Sequence, residues 1–265
     1  MTARRAYLDA AEEAGLLHRA GGLVVIADPV EDPVTGRRRC LVEHVGGDGP
    51  DPAVLLGVLR DRWPDCQEAL VRTEAPAGPL GSPFVPYLTY VVREPPPPGA
   101  PPAQTGPVLV RAGTPGDRAA ITSMLAEAFD RAVGQHGHRA DPAALAAAAE
   151  SVVDDPARVT YVAERDSRVV GHVTLLTDTT DDPTGARYVE LLDVLVRPLT
   201  DREASRRLVA AAEAHAARTG TPLMGHVVHV ADDPAHAERT LAVLGRAGWR
   251  IAHHYSWADF GRGGG

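Results

Sequence analysis

Hydrophobic and polar positions along the chain follow the short periods of alternating strands and helices. In the first third, apolar runs of strand length occur at residues 23–29, 38–45, 69–74 and 87–94. Helical spacing predicts a helix over residues 3–19, with Tyr7, Ala10, Ala14 and Leu17 on one face. A second helix is predicted over residues 52–63, with Asp51 as its cap. These elements predict a small α/β domain over residues 1–94.

A proline-rich segment over residues 95–107, PPPPGAPPAQTGP, follows this region. Its composition favours polyproline II and offers no apolar core, so it predicts a semi-rigid linker. A second domain is predicted over residues 108–260, and the glycine-rich end, residues 261–265, is predicted to be a flexible tail.

The second domain is predicted to have the order β-α-α-β-β-β-α-β-α-β. Its first helix contains Ile121, Leu125 and Phe129 and begins at Thr114 or at Gly116-Asp117. A tight turn at residues 165–168 joins the second and third strands into a hairpin. The strands are predicted at residues 108–111, 159–164, 169–178, 189–196, 222–230 and 250–260, and the later helices at residues 141–155, after residue 200, and 234–247.

Composition narrows the function classes. A hydrophobic share of 44% and a charged share of 23% indicate a globular protein. No apolar run approaches the length of a membrane span, and the polar residues 1–15 lack the apolar core of a signal peptide, so neither is expected. Cys40 and Cys66 are the only cysteines, which predicts a reducing, cytoplasmic compartment. The net charge of −8 argues against a general nucleic-acid binder, although not against a local patch of arginine. All 27 basic residues are arginine, because the sequence contains no lysine.

The element order of the second domain resembles that of the GNAT superfamily of N-acyltransferases. The matching stretches are LVRAGTPGDRAAI at residues 109–121, YVAERDSRVVGHVTL at 161–175, ELLDVLVRP at 190–198 and LAVLGRAGWR at 241–250. The resemblance covers about residues 107–260 and implies a mixed α/β, GNAT-like fold. The first domain is either a shortened, degenerate relative of the same fold, as in a tandem GNAT, or an unrelated accessory domain.

The resemblance implies that an acyl-CoA donor, such as acetyl-CoA, binds between the strands at residues 190–196 and 223–230. In that family a glycine-rich loop before the next helix holds the pyrophosphate on backbone N–H groups. Here no glycine occurs from Pro198 to Leu208, and Thr200 and Glu203 have the spacing of a capping box, which predicts a self-capped helix. Arginine side chains are therefore expected to replace the glycine backbone. The expected donor contacts are Leu195, Val196, Arg197, Arg202, Ala204, Ser205, Arg206 and Arg207.

The resemblance also implies direct attack of an amine on a thioester, which needs a base and a proton donor. Leu244 stands where the family has a tyrosine acid, so Tyr255, a histidine or water is expected to donate the proton. For the base, the candidates are Glu190, Asp193 and His226. Strand alternation places Glu190 and Asp193 on opposite faces, so only one of them faces a given pocket.

The sequence gives the other histidines no predicted catalytic or metal-binding role. His253 and His254 are predicted at the surface, and no His/Cys cluster has the spacing of a zinc site, so no metal is expected.

The leading hypothesis is a two-domain enzyme that transfers an acyl group, such as acetyl, from a CoA-type donor to an amine of a small molecule, in specialised metabolism. One alternative keeps the fold but takes the acyl group from aminoacyl-tRNA or a carrier protein. Another alternative is a GNAT-like binding module without catalytic activity. No membrane partner is expected.

Overall fold

The computed structural model describes residues 3–46, 50–95, 97 and 106–261. In chain order the elements are α1 (Ala3–Glu13), β1 (Leu17–Ala20), β2 (Leu23–Glu31), β3 (Arg38–Gly46), α2 (Pro52–Arg62), β4 (Glu68–Glu74), β5 (Val85–Arg93), β6 (Leu109–Ala112), α3 (Arg118–Gln135), α4 (Pro142–Asp154), β7 (Arg158–Arg165), β8 (Arg168–Asp181), β9 (Ala186–Val196), α5 (Arg202–Thr219), β10 (Leu223–Val228), α6 (Pro234–Arg246) and β11 (Arg250–Asp259). The predicted mixed α/β class is confirmed. None of the described helices is long and apolar enough to cross a membrane.

The chain divides into two compact units that are discontinuous in sequence. Unit one comprises Met1–Val91, Asp181–Ala186 and Val227–Gly265, and unit two comprises Val92–Thr180 and Arg187–His226. The last helix and strand, expected in the second domain, thus belong to unit one, in which residues 253–259 of β11 pair with all of β4. Residues 96, 98–105 and 262–265 lie outside the described part. The linker, the tail and the sequence boundaries at 94 and 107 therefore stay predictions.

Unit one contains the strand order β1-β2-β3-β4-β11-β5. The pairs β1/β2, β2/β3 and β4/β11 are antiparallel, whereas β3/β4 is parallel and is connected through α2. The predicted cap of α2 is confirmed, because the Asp51 carboxylate accepts from the Ala53 N–H at 2.8 Å. The buried side chains of α2, Leu55, Leu56 and Leu59, pack into one core with residues of β2, β3 and β4.

The predicted helix over residues 3–19 was too long. It ends at Glu13, and Gly15 beyond it has a φ of 73°, a left-handed conformation that favours glycine and stops a helix. The next residues form β1, which pairs with β2 across Gly21 and Gly22, at φ 57° and 77°. Residues 17–20 are therefore a strand because they pair with β2, and the local spacing of apolar residues does not reveal that pairing.

Unit two contains the strand order β6-β7-β8-β9-β10. The predicted β7/β8 hairpin is confirmed, and its turn has positive φ at both central residues, 50° at Asp166 and 62° at Ser167. Helices α3 and α4 pack together over β7, with Val162 of that strand in their shared core. Before α3, the Asp117 carboxylate accepts from the Thr114 hydroxyl at 2.7 Å and fixes the start of the helix. Strands β9 and β10 are parallel.

Candidate functional site

Strand β9 carries Asp193, one of the predicted bases, and the structure gives it a histidine partner. The Oδ2 atom of Asp193 lies 3.2 Å from Nε2 of His172, a fully buried residue of the neighbouring strand β8. On the other side of the ring, Nδ1 of His172 lies 3.0 Å from the Thr174 hydroxyl, which in turn lies 3.1 Å from that of Thr160. The imidazole is therefore held by a chain of hydroxyl groups at Nδ1, and its Nε2 lies beside the Asp193 carboxylate without a hydrogen bond to it.

Sequence reasoning gave His172 no role. The available signal was the polar pair His172 and Thr174, which occupy alternate positions inside the otherwise apolar β8 and therefore share one face. A buried polar group is costly unless it has a partner, so such a pair points to a polar contact across the sheet. Its partner Asp193 comes from a strand whose register the sequence does not reveal.

The other two predicted bases of this region also lie in unit two. Glu190 is half-buried on β9, and burial raises the pKa of its carboxyl group. His226 lies on β10, where burial lowers the pKa of its ring and the negative charge of Asp193 opposes that shift. Asp193 therefore lies within electrostatic reach of His226 as well as in contact with His172.

Helix α5 begins differently from the prediction. Asp201, not Thr200, is the cap, because its Oδ1 accepts from the Ala204 N–H at 3.0 Å. The predicted Thr200/Glu203 capping box is wrong, since Glu203 instead forms an ion pair with Arg207 at 2.9 Å. The prediction that the helix caps itself is nevertheless confirmed. The Ala204 N–H is engaged by a carboxylate and is not available to a phosphate.

Other groups at the start of α5 are engaged in the same way. The Arg202 N–H donates to the Thr200 carbonyl at 2.8 Å, and the Ser205 N–H donates to the Asp201 carbonyl at 3.1 Å. The second carboxylate oxygen of Asp201 lies 2.8 Å from the guanidinium of Arg165. This helix start therefore lacks the open set of backbone donors that a glycine-rich phosphate loop provides.

Three of the predicted donor contacts lie together. Arg202, Ser205 and Arg206 line a surface cleft of about 540 Å³ with Leu199, and both arginines are exposed. Two guanidinium groups at one cleft can bind an anion through side chains in place of backbone.

The remaining predicted donor contacts have structural partners. Arg207 donates to the Val108 carbonyl at 2.7 Å, and Arg197 forms an ion pair with Glu127 of α3 at 2.6 Å. Leu195 and Val196 are buried. Their side chains belong to the core of unit two.

Tyr255, the predicted proton donor, lies on β11 in unit one. Its hydroxyl donates to the Glu43 carboxylate, with oxygen distances of 2.8 and 2.9 Å. Burial, followed by the charge of Glu43, raises the pKa of Tyr255 well above 10. A phenol in this state is a weaker acid than an ordinary tyrosine.

The prediction of surface positions for His253 and His254 is wrong, because both rings are buried. They lie on β11, which has β4 on one side and β5 on the other and is therefore an interior strand. His253 stacks on Tyr90 with ring centroids 4.5 Å apart, and burial lowers its pKa to about 3. His254 contacts the hydroxyl of Thr89 at 2.9 Å.

Among the described residues, no group of three His, Cys, Asp or Glu side chains comes together in an arrangement that could hold a metal ion.

Comparison with solved structures places this architecture among acetyltransferase folds. A GCN5-related N-acetyltransferase from Sphaerobacter thermophilus is similar with a TM-score of 0.55 at 15% identity, over 90% of this chain and 76% of that one. A GCN5-related N-acetyltransferase from Kribbella flavida gives 0.51 at 15% identity, over 99% and 96%. A tandem GNAT protein from the clavulanic acid biosynthesis pathway gives 0.50 at 15% identity, over 93% and 82%.

Comparison at the level of sequence gives no match. The chain matches no protein-family model, and it matches no curated protein. The structural similarity therefore establishes the fold of the GCN5-related N-acetyltransferases, as the sequence resemblance implied.

Proposed function

We propose that this protein is an N-acyltransferase that moves an acyl group from a CoA-type donor to an amine of a small molecule. Besides the fold, one observation supports this proposal. Strand β9 bears Asp193 against His172, and the helix that follows this strand presents Arg202 and Arg206 at a cleft. A proton acceptor and an anion-binding surface thus come from consecutive elements of unit two.

The chemistry requires removal of a proton from the attacking amine, since an ammonium ion has no lone pair. Asp193 is the acceptor in this proposal, and His172 orients its carboxylate through the 3.2 Å contact. The neutral amine then attacks the thioester carbonyl, the C–N bond forms, and the C–S bond breaks to release the thiolate. The second proton of the attacking nitrogen passes to this thiolate, which leaves the amide and the free thiol. Glu190, on the opposite face of β9, is the competing base, and burial raises its pKa, which makes it a stronger base than an exposed glutamate.

The groups at the start of α5 determine which part of an acyl donor this helix can bind. The backbone does not fit a pyrophosphate, because Asp201 engages the Ala204 N–H and places a carboxylate there. The side chains do fit an anion, because Arg202 and Arg206 are exposed and line one cleft together with the Ser205 hydroxyl. The proposed donor contact is therefore made by guanidinium groups.

The missing backbone cradle also favours a second candidate donor. A carrier protein presents its acyl chain on a phosphopantetheine arm with a single phosphate, so it does not need the pyrophosphate site that Asp201 occupies here. Turnover with an acyl carrier protein, and none with free acyl-CoA, supports this candidate over the first.

The test is amine-dependent release of free thiol from acetyl-CoA and longer acyl-CoA esters, followed with a thiol reagent over a panel of primary amines. We expect release with the native chain and a loss of about 10²–10⁴-fold in kcat for Asp193→Asn. Asp178→Asn is the matched control, because that carboxylate is exposed and pairs only with the exposed Arg187 among the described contacts. Full turnover in Asp193→Asn together with loss in Glu190→Gln reassigns the base. No release from any acyl-CoA or acyl carrier protein overturns the enzymatic proposal.

A further inference from the structure

Unit one contains a pocket of about 580 Å³ that the proposed acyl transfer does not use. Helix α1 forms one wall, strands β2 and β3 form the floor, and the turn after β8 contributes Asp182 and Gly185. Its volume lies within the range of pockets that bind small organic molecules, roughly 300–1,000 Å³.

Most side chains of the wall and floor of this pocket are apolar. The face of α1 with helical spacing contributes Tyr7, Ala10 and Ala11, followed by Ala14 after the helix end, and these small alanine side chains leave space above the strands. Opposite them, Ile26 and Leu41 supply larger aliphatic groups. An apolar ligand body is therefore expected to be stabilised by burial.

The polar groups that line the pocket are acidic or phenolic. Glu43, Asp28 and Asp182 are its charged lining residues, and no basic side chain lines it in the described part of the chain. Asp28 and Asp182 are exposed, whereas the side chain of Glu43 keeps 26% exposure. Three carboxylates at an apolar pocket favour a cation over an anion.

The Glu43 carboxylate can still accept hydrogen bonds from a ligand, although Tyr255 and Arg72 lie close to it. This carboxylate accepts from the Tyr255 hydroxyl, which leaves further acceptor positions of the roughly four that a carboxylate offers. The nearest cation, Arg72, lies 3.6 Å away but forms a two-pronged contact with Asp181 at 2.6 and 3.1 Å, and a third contact with Glu74 at 2.7 Å. This guanidinium therefore neutralises Asp181 and Glu74 more closely than Glu43.

We propose that this pocket binds a small primary amine with an apolar body, its ammonium group donating to Glu43 and to the Tyr7 hydroxyl. Tyr7 remains a neutral phenol, because burial raises its pKa to about 12, and it can accept a hydrogen bond. A primary ammonium has three donors, which matches the two oxygen acceptors and one further acceptor or water. The site lies wholly in unit one, so this inference does not depend on the acyl-transfer proposal.

The experiment is isothermal titration of the full chain with phenethylamine. Two comparators share its body but not its charge, namely 2-phenylethanol, which is neutral, and 3-phenylpropionate, which is anionic. We expect phenethylamine to bind, the alcohol to bind at least about tenfold more weakly, and the carboxylate to show no binding. Binding of the carboxylate as strong as that of the amine overturns the proposal.

Two substitutions at residues that line the pocket test whether phenethylamine binds there. Glu43→Gln keeps the size of the side chain but removes its charge, and Ala10→Phe fills the pocket while leaving Glu43 and Tyr255 intact. Both should weaken phenethylamine binding roughly tenfold or more. Glu13→Gln is the control, since Glu13 is an exposed residue of the same helix outside the pocket lining.

Each variant is checked by circular dichroism and urea unfolding before titration, and Ala10→Phe remains decisive if Glu43→Gln fails to fold. Native affinity in folded Ala10→Phe overturns the assigned pocket. Asp193→Asn should retain binding, because Asp193 belongs to unit two, and loss of acyl transfer in that variant leaves this result unchanged.

Discussion

Asp193 and His172 meet across neighbouring strands, with 3.2 Å between the carboxylate oxygen Oδ2 and the ring nitrogen Nε2. His172 has no exposed surface, and its other ring nitrogen contacts the Thr174 hydroxyl. Burial and the Nδ1 contact thus fix the orientation of the ring, and they place Nε2 beside the carboxylate at ion-pair distance, without a hydrogen bond between the two. Asp193, the predicted base, therefore lies beside a buried histidine of fixed orientation, whereas an ordinary carboxylate at a strand end contacts only solvent.

If His172 orients Asp193, then His172→Gln should lower kcat by about 10²-fold with little change in the KM for the donor. The reason is that a small displacement of a catalytic group costs a factor of this size. Steady-state kinetics across a range of pH separate this loss of positioning from general instability. His215→Gln is the control, because His215 contacts Tyr161 on β7 and not Asp193. An unchanged kcat in folded His172→Gln contradicts a positioning role.

Donor binding should depend on the exposed arginines of α5. Arg202→Ala and Arg206→Ala are each expected to weaken acyl-CoA binding about tenfold, since each removes one charged hydrogen-bond donor from the cleft. The loss should shrink at high salt, because screening already weakens exposed charges. Titration calorimetry at two salt concentrations measures both effects. Arg187→Ala, at an exposed arginine paired with Asp178, should bind as the native chain does.

Gly171 should not tolerate a methyl group. A Cβ there would lie 2.7 Å from the Leu195 carbonyl oxygen and 2.8 Å from Cγ1 of Val196, so β8 and β9 would have to separate. We expect Gly171→Ala to lower the free energy of unfolding by about 1–3 kcal/mol. In contrast, Gly134→Ala in α3, where a Cβ meets nothing within 4 Å, should raise it by about 0.5–1 kcal/mol. Urea unfolding curves measure both, and equal stability of the two variants would contradict the close approach.

Stability should fall on acidification partly because of His253. Its pKa is lowered from 6.5 to about 3, first by burial and then by Arg72. Between these pH values the unfolded chain binds a proton that the folded chain does not. Its contribution to stability is therefore full above pH 6.5 and declines as the pH falls toward about 3, at up to roughly 1.4 kcal/mol per pH unit.

The variant His253→Phe keeps an aromatic ring against Tyr90 and removes the titration. Its unfolding free energy, measured in urea across this pH range, should fall less steeply than that of the native chain. His236→Gln, at an exposed position of α6, should keep the native slope. A native slope in His253→Phe would show that the ring is accessible to protons in the folded state.

The sequence by itself determined the elements that depend on residues close together in the chain. The β7/β8 hairpin follows from two apolar strands around a four-residue turn, and the start of α2 follows from Asp51 before a proline. The spacing of Thr200 and Glu203 similarly predicted that α5 would cap itself, although the residue that caps it is Asp201. Each of these features depends on residues a few positions apart, so the sequence was sufficient.

Tertiary structure decided the features that depend on distant residues. Residues 17–20 continue a helical pattern, yet pairing with β2 makes them a strand. His253 was expected at the surface, but the insertion of β11 between β4 and β5 buries it. The contact of His172 with Asp193 joins residues of two strands, and the pocket at Glu43 joins α1 with β2 and β3. Periodicity identifies the face on which a side chain lies, but strand order and register, set by the packing of the whole chain, select the partner it meets.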